Sequence, residues 1–293
     1  MFMKPINPLE LGATLFVPAL HKDIDAIASA KKYPHLRSML IDFEDSLEEE
    51  RHEDALSKLQ TFLTNYEKKE LFVFIRPANP HMLQEMLNFD DIEKLSGFIL
   101  PKFSLSNAED YLALMSQTKM HFMPSIETQE LFNIQQLQEL KERLTPYKEQ
   151  IILVRIGLED MLRQLKMKRR CSENLFDIAV TSHTLAHFLA TFKSSGFSVS
   201  GGVFPCFKDS DGFIEDVKRD LKEGLVSKTV IHPHQVELFE ECYRVKQEEF
   251  DEAVALCQST QTVFAHNGAM QEKNTMTPYA QDIILRSELY GLY

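Results

Sequence analysis

Much that would place this chain at a glance is missing from it. No stretch of eighteen apolar residues occurs, which argues against a membrane-spanning helix and any membrane partner. The opening MFMKPINPLELGATLF has no apolar signal-peptide core and no cleavage pattern, so a cytoplasmic location is expected. Basic residues are in deficit: 32 Lys and Arg stand against 44 Asp and Glu, a formal net charge of −12. A surface of that sign repels phosphate backbones, which argues against nucleic acid as a partner. Four cysteines, Cys171, Cys206, Cys242 and Cys257, include no Cys-x-x-Cys pair. That spacing fits neither a zinc knuckle nor a disulfide framework, and reduced, packed thiols are expected. Cys206 stands apart, because GGVFPCF reads as a strand end, where functional groups gather. No Gly-x-Gly-x-x-Gly follows the first strand; FVPALHKD stands there instead, which removes the usual dinucleotide cradle.

What is present is a regular alternation. The chain has 293 residues, 44% of them apolar, enough for a large core. Short β-rich runs fall at 14–18 (TLFVP), 38–42 (SMLID), 71–76 (LFVFIR), 97–102 (GFILPK), 120–125 (MHFMPS), 151–157 (IILVRIG), 197–204 (FSVSGGVF) and 228–233 (KTVIHP). Several are apolar throughout, as parallel strands covered on both faces must be. Between them run amphipathic stretches such as 51–69, 131–144 and 176–196, the last closed by a glycine stop at Gly196. Eight strands alternating with about eight helices predict an α/β fold, a (β/α)8 TIM barrel with extra C-terminal helices. No linker rich in Gly, Pro or Ser divides the chain and no internal repeat is visible. The expected organisation is a barrel over residues 1–245 and a helical extension over 246–293.

Barrel enzymes carry their chemistry at the C-terminal ends of the strands, and charged residues collect there. Strand 2 ends in Asp42, Glu44 and Asp45, strand 3 in Arg76, strand 4 in Lys102, strand 5 in Glu127, strand 6 in Glu159 and Asp160, strand 8 in His232. In a narrow, partly dry mouth such groups need a cation, an anionic ligand or one another. Glu127 and Asp160, on neighbouring strands, form a hard-oxygen pair suited to Mg²⁺ or Mn²⁺. Arg76 is a natural carboxylate clamp, since its fork binds two oxygens at once. A 2-oxo acid chelating the metal would then be poised for enolate chemistry. Plainer readings stay open. Arg76 could close an ion network with Glu44 or Asp45; Glu127 and the acids of GLEDM (157–161) could be first-turn acids of helices; His232 could be merely packed, and Lys102 merely solvated.

In order, these stretches resemble the citrate lyase β-subunit family and the malyl-CoA lyases, within the phosphoenolpyruvate/pyruvate TIM-barrel superfamily. LFVPA resembles the family's Leu-Phe-Val-Pro-Gly, and IDFEDS its Leu-Asp-Leu-Glu-Asp-Ala. FIRPANP resembles Val-Arg-x-Asn-Pro, FILPK the Leu-Pro-Lys turn, and PSIET the Ile-Glu-Thr segment. RIGLEDM is similar to Gly-x-Glu-Asp-Leu, and GLVSKTVIHPHQ to the family's Gly-Lys-x-x-Ile-His-Pro-x-Gln ending. The resemblance implies a C–C bond lyase of Mg²⁺ chemistry, with Glu127 and Asp160 as metal ligands and Arg76 binding the substrate carboxylate. It implies that backbone N–H groups of Gly157, Leu158 and Glu159 cradle that carboxylate, and that Glu44 and Asp45 hold Arg76 and metal-bound water. Glu272, in NGAMQE, stands where relatives send an aspartate into a neighbouring subunit's site, which would make it the general acid/base; a plain surface acid is the other reading. Partners implied are a small 2-oxo or 3-hydroxy acid and a homo-oligomer, trimer or hexamer, in which the extension packs on a neighbouring subunit. There are departures: Ala19-Leu20 replaces the family's Gly-Asn near the place of the CoA arm, which speaks against acyl-CoA. The insertion at 143–150 has no counterpart. Acyl-CoA thioester hydrolysis or malate-synthase-like condensation, and a non-catalytic binding subunit with this barrel, are the alternatives.

Overall fold

The eight apolar runs pair as one parallel sheet in the computed structural model, which describes residues 4–266 and 268–293. The strands are β1 (Ala13–Pro18), β2 (Ser38–Asp42), β3 (Phe72–Arg76), β4 (Gly97–Leu100), β5 (His121–Ile126), β6 (Val154–Ile156), β7 (Val199–Ser200) and β8 (Lys228–Val230). Their spatial order runs from β7 down to β1 and then β8. A parallel bridge between Gly201 and Lys228 joins the two ends of that order and nearly closes the ring. Helices α1 (Ile24–Ala28), α2 (His52–Asn65), α3 (Pro80–Met86), α4 (Ala108–Ser116), α5 (Ile134–Leu144), α6 (Leu158–Gln164), α7 (Ala179–Lys193), α8 (Ser210–Lys222) and α9 (Pro233–Tyr243) occupy the connections. The expected (β/α)8 barrel is the fold. An open doubly wound sheet would leave its edge strands apart, and here they meet.

Side-chain alternation along each strand fills the barrel. Leu40, Phe74, Ile99, Met123 and Leu153 meet inside it with Leu11 and Ile152. The inserted segment 143–150 folds as the end of α5 and a short 3-10 helix, Thr145–Gln150, anchored where Gln150 donates to the carbonyls of Met115 and Thr118.

One expectation is corrected. Cys171, in the segment after α6, and Cys206, in the segment after β7, form a disulfide with Cα atoms 5.7 Å apart. They lie 35 residues apart with no paired-cysteine motif, so only the barrel's return of both segments to one place makes them partners. On the chain-entropy model, closing a loop of that length stabilises the fold by about 4 kcal/mol. Cys242 and Cys257 keep their thiols and are partly buried.

Residues Met1–Val236 form one compact unit and Glu237–Tyr293 a second. The second contains α10 (Gln247–Gln258), a hairpin of β9 (Val263–His266) and β10 (Ala269–Glu272), and α11 (Lys273–Tyr290). Val245, Ala253, Leu256, Ala280 and Ile283 form its core. The hairpin was not expected from the helical pattern of this region, and it exposes Val263 and Met270. No helix of the described residues is long and apolar enough to cross a membrane.

Candidate functional site

Two residues beyond four of these apolar core positions, at the same strand parity, the barrel turns polar. Leu40 is followed by Asp42, Phe74 by Arg76, Met123 by Ser125 and then Glu127, Leu153 by Arg155 and then Gly157. Period-two alternation carries these side chains inward at the C-terminal mouth. There Arg76, Ser125, Glu127, Arg155 and Gly157 line a pocket of about 170 Å³ together with Asp45, Glu159, Asp160 and Thr229.

The acidic turn after β2 is built around Arg76. Parallel register sets Asp42 directly beside Arg76 on β3. Asp42, fully buried, accepts from Arg76 Nε at 2.5 Å and from the backbone amides of Glu44 and Ser46 at 3.3 and 2.9 Å. Arg76 Nη1 lies 2.9 Å from Glu44 Oε2, and Nη2 lies 3.0 Å from Asp45 Oδ2. Burial opposes the charge on Arg76, but the three carboxylates outweigh it and raise its pKa. Lys102 completes the cluster: its Nζ bonds Glu44 and lies 3.8 Å from Asp45 Oδ1. Burial pushes the Glu44 carboxyl up to about 7, with Arg76 and Lys102 offsetting only part of the cost. The ion network with Glu44 and Asp45, one of the readings left open by the sequence, is the observed arrangement.

Glu127 sits just past β5, 4% exposed. Its Oε1 accepts the Lys102 amide at 2.8 Å and its Oε2 accepts Ser125 Oγ at 3.0 Å. Lys102 holds a left-handed backbone, φ 47°, which aims that amide. Burial raises the Glu127 pKa, and Asp160 adds to the rise against the Lys102 amide, Arg76 and Ser125. No Lys, Arg or His side-chain nitrogen lies within 4.0 Å of its carboxylate among the described residues. Asp160 Oδ1 pairs at 2.5 Å with Arg163, whose side chain is 70% exposed, a pairing easily exchanged. No group of three or more His, Cys, Asp or Glu side chains gathers as a metal cage among the described residues. Two carboxylates with the remaining positions left to water and ligand suit Mg²⁺, which keeps much of its hydration. The buried, cation-free Glu127 fits such an ion.

Gly157, the first residue after β6, makes room for Glu127: a Cβ there would stand 2.1 Å from Glu127 Oε2. Its amide donates to the Ile126 carbonyl at 3.2 Å, so it is spent on the sheet rather than held for an anion. Of the three expected cradle residues, Leu158 and Glu159 retain first-turn amides at the pocket.

The structure therefore gathers Arg76, Asp45, Glu127, Gly157, Leu158, Glu159 and Asp160 around one pocket, with Glu44 bonded behind Arg76. The lining residues all belong to the first unit, whereas Glu272 ends β10 in the second. His232 stacks on Phe207 with ring centroids 5.1 Å apart and accepts the His234 amide at 3.2 Å, the packed alternative. Lys102 joins the acid cluster through Glu44 while its side chain stays 44% exposed. Arg155 and Thr229, joined by a hydrogen bond, are pocket residues that the strand-end pattern does not point to. The available signal was a lone charge inside the apolar run IILVRIG, at the inward parity.

A family model described as "C-C_Bond_Lyase of the TIM-Barrel fold" matches residues 5–292. Similar solved structures include CitE from Mycobacterium tuberculosis in complex with magnesium, acetoacetate and coenzyme A. That pair shares 18% identity at a TM-score of 0.70, covering 96% of this chain and 99% of that one. A citrate lyase from Burkholderia xenovorans LB400 aligns over 98% of this chain and 96% of its own, with 14% identity and a TM-score of 0.74. The citrate lyase β subunit from M. tuberculosis complexed with oxaloacetate and magnesium shares 18% identity at a TM-score of 0.59, covering 82% and 100%. At these identities the likeness is one of fold. No curated protein sequence matches the chain.

Proposed function

The chain belongs to the C–C bond lyase family of the TIM-barrel fold, an enzyme family, and from that premise we propose a Mg²⁺-dependent lyase acting on a small 2-oxo or 3-hydroxy acid. The observation that carries this reading is the buried Glu127 carboxylate beside Asp160, with no cationic partner, opening into a pocket sized for a small acid. Glu127 and Asp160 would hold the ion. Bound there, it would supply the positive charge that offsets an enolate as a bond next to a carbonyl breaks. Magnesium and oxaloacetate in the complex of the similar M. tuberculosis protein support the choice of ion and of ligand class.

The chain's own residues do the rest. Lys102 and Ser125 fix the Glu127 oxygens, so the carboxylate is set before any ligand arrives. Asp42 locks Arg76 in place, and Arg76 spreads positive charge along the wall that faces Asp45. Glu44, with its carboxyl near neutrality, can hold or release a proton at Oε1, next to Lys102. Titration of pyruvate or oxaloacetate into metal-free protein, with and without Mg²⁺, tests the reading. Binding is expected only with Mg²⁺ and is expected to vanish in Glu127→Gln while circular dichroism stays unchanged. A Glu127→Gln protein that still binds both ion and acid removes the metal assignment.

A further inference from the structure

Nearly every cation enclosed by this barrel has its acid. Arg76 has Asp42, Glu44 and Asp45; Arg169 has Asp216; Lys228 has Asp216 at 2.7 Å and Asp220 at 2.6 Å. Arg155 does not. It sits in the middle of β6, opposite Ser125 on β5 and Ser200 on β7, and lines the pocket. Its Nη2 donates to Thr229 Oγ1 on β8, and no carboxylate oxygen lies within 4.0 Å of its guanidinium among the described residues. The nearby charge that weighs most on it is another cation. Burial, then Arg76, push its pKa down to about 10, with Glu127 pulling the other way, so it remains charged at neutral pH.

A strut to Thr229 would need one donor and no charge. A guanidinium carries five N–H groups in a fixed fork, and leaving a whole charge enclosed without a counter-ion is what folded proteins avoid. The fork matches a planar carboxylate through two parallel hydrogen bonds. Arg76, the residue that sequence reasoning chose for this task, already faces three protein carboxylates. The free positive charge of the pocket is at its floor, on β6.

We propose that Arg155 is the anion receptor of this pocket: it takes a carboxylate of the small-acid ligand, with Thr229 positioning its fork, and so sets the requirement for an acidic substrate. The proposal rests on the pocket being the substrate site. It differs from the metal assignment in sign, because removing a cation from beside Glu127 should favour a divalent ion there.

The test is calorimetric titration of Mg²⁺, and then of pyruvate in saturating Mg²⁺, into the whole chain and its Arg155→Met, Arg155→Lys and Thr229→Val variants. Loss of a charged hydrogen-bonded pair is expected to weaken pyruvate roughly tenfold or more in Arg155→Met. Arg155→Lys, which keeps the charge and loses the fork, should fall between, and Thr229→Val should lose a few-fold. Mg²⁺ alone should bind Arg155→Met as tightly as the wild type or tighter. Pyruvate binding unchanged in Arg155→Met, with Mg²⁺ still bound, overturns this proposal and leaves the metal site standing. Loss of Mg²⁺ and pyruvate together, with a lowered melting temperature, makes Arg155 structural and also overturns it. Pyruvate bound without Mg²⁺ and lost in Arg155→Met supports the receptor while removing the metal assignment. Inorganic phosphate binding the wild type more tightly than pyruvate overturns the choice of a carboxylate.

Discussion

Replacing Gly157 by alanine isolates the contact on which the site is built. The backbone there, φ −83° and ψ 90°, is open to any residue, so alanine brings no conformational strain. The cost is steric. An added Cβ would stand 2.1 Å from Glu127 Oε2, 2.4 Å from its Cβ and 2.9 Å from its Cδ. Comfortable carbon contacts lie near 3.5–4.0 Å, so something must move by about 1 Å. Glu127 has little room to yield: Lys102 and Ser125 hold its carboxylate, and Gln164 Nε2 holds its carbonyl at 2.6 Å. Overpacking of this kind costs about 1–3 kcal/mol, which for a domain of this size lowers the melting temperature by roughly 2–10 °C. An octahedral ion with short bonds tolerates little displacement of a ligand, so Mg²⁺ affinity should fall about tenfold or more. Scanning calorimetry with and without excess Mg²⁺ reads both effects, since an ion that binds only the folded state raises the melting temperature. In a double-mutant cycle with Glu127→Gly, which clears the clash, much of the alanine's cost should disappear. A Gly157→Ala protein with unchanged melting temperature and an unchanged Mg²⁺ shift would refute the packing of Glu127 against this backbone.

Two further perturbations probe the buried charges. Lys228 is 1% exposed between Asp216 and Asp220, and Lys228→Met leaves those carboxylates with Arg169 alone. A loss of about 3–5 kcal/mol by chemical denaturation is expected, smaller at pH 5 than at pH 8, because Asp220, which burial already lifts to about 6, can then take a proton; a loss below about 1 kcal/mol would contradict it. The pKa of Glu44 in the fold, about 7, lies above its ordinary 4.5, so between those values the folded state binds the extra proton. Stability is therefore lost as pH rises through that window, by about 3 kcal/mol at most, and Glu44→Gln should remove that component from the difference between pH 5 and pH 8. Identical pH profiles for the two proteins would count against the burial of that carboxyl.

What could be read in the chain without its structure was whatever repeats locally. Apolar runs of five or so residues, alternating with amphipathic stretches, place β1 to β8, because a strand covered on both faces admits few other patterns. The site residues that end those strands follow from the same periodicity, since parity alone decides that Arg76 and Glu127 face inward. Partnership was less legible. Cys171 and Cys206 carry no spacing signal, and Asp42 reads as one more apolar-run terminus until its register beside Arg76 is known. The hairpin of β9 and β10 hid in a segment whose neighbours on both sides are helical.

Arg155 shows the limit most clearly, and why it is a physical one. Its parity was visible, but what distinguishes it is the absence of an acid nearby, and absence is a property of all the elements around it. Asp42, Glu44 and Asp45 fall within four consecutive positions and read as a cluster of negative charge at a strand end. Register gives that cluster to Arg76, with Lys102 sharing Glu44 and Asp45. Once those pairs are formed, neither Glu127 nor Arg155 has an ion pair within 4.0 Å among the described residues. An ion and an acid that bind each other, as Mg²⁺ and a 2-oxo carboxylate do, would meet both needs at once. On the proposed reading, these two charges, more than any single motif, set what the pocket binds.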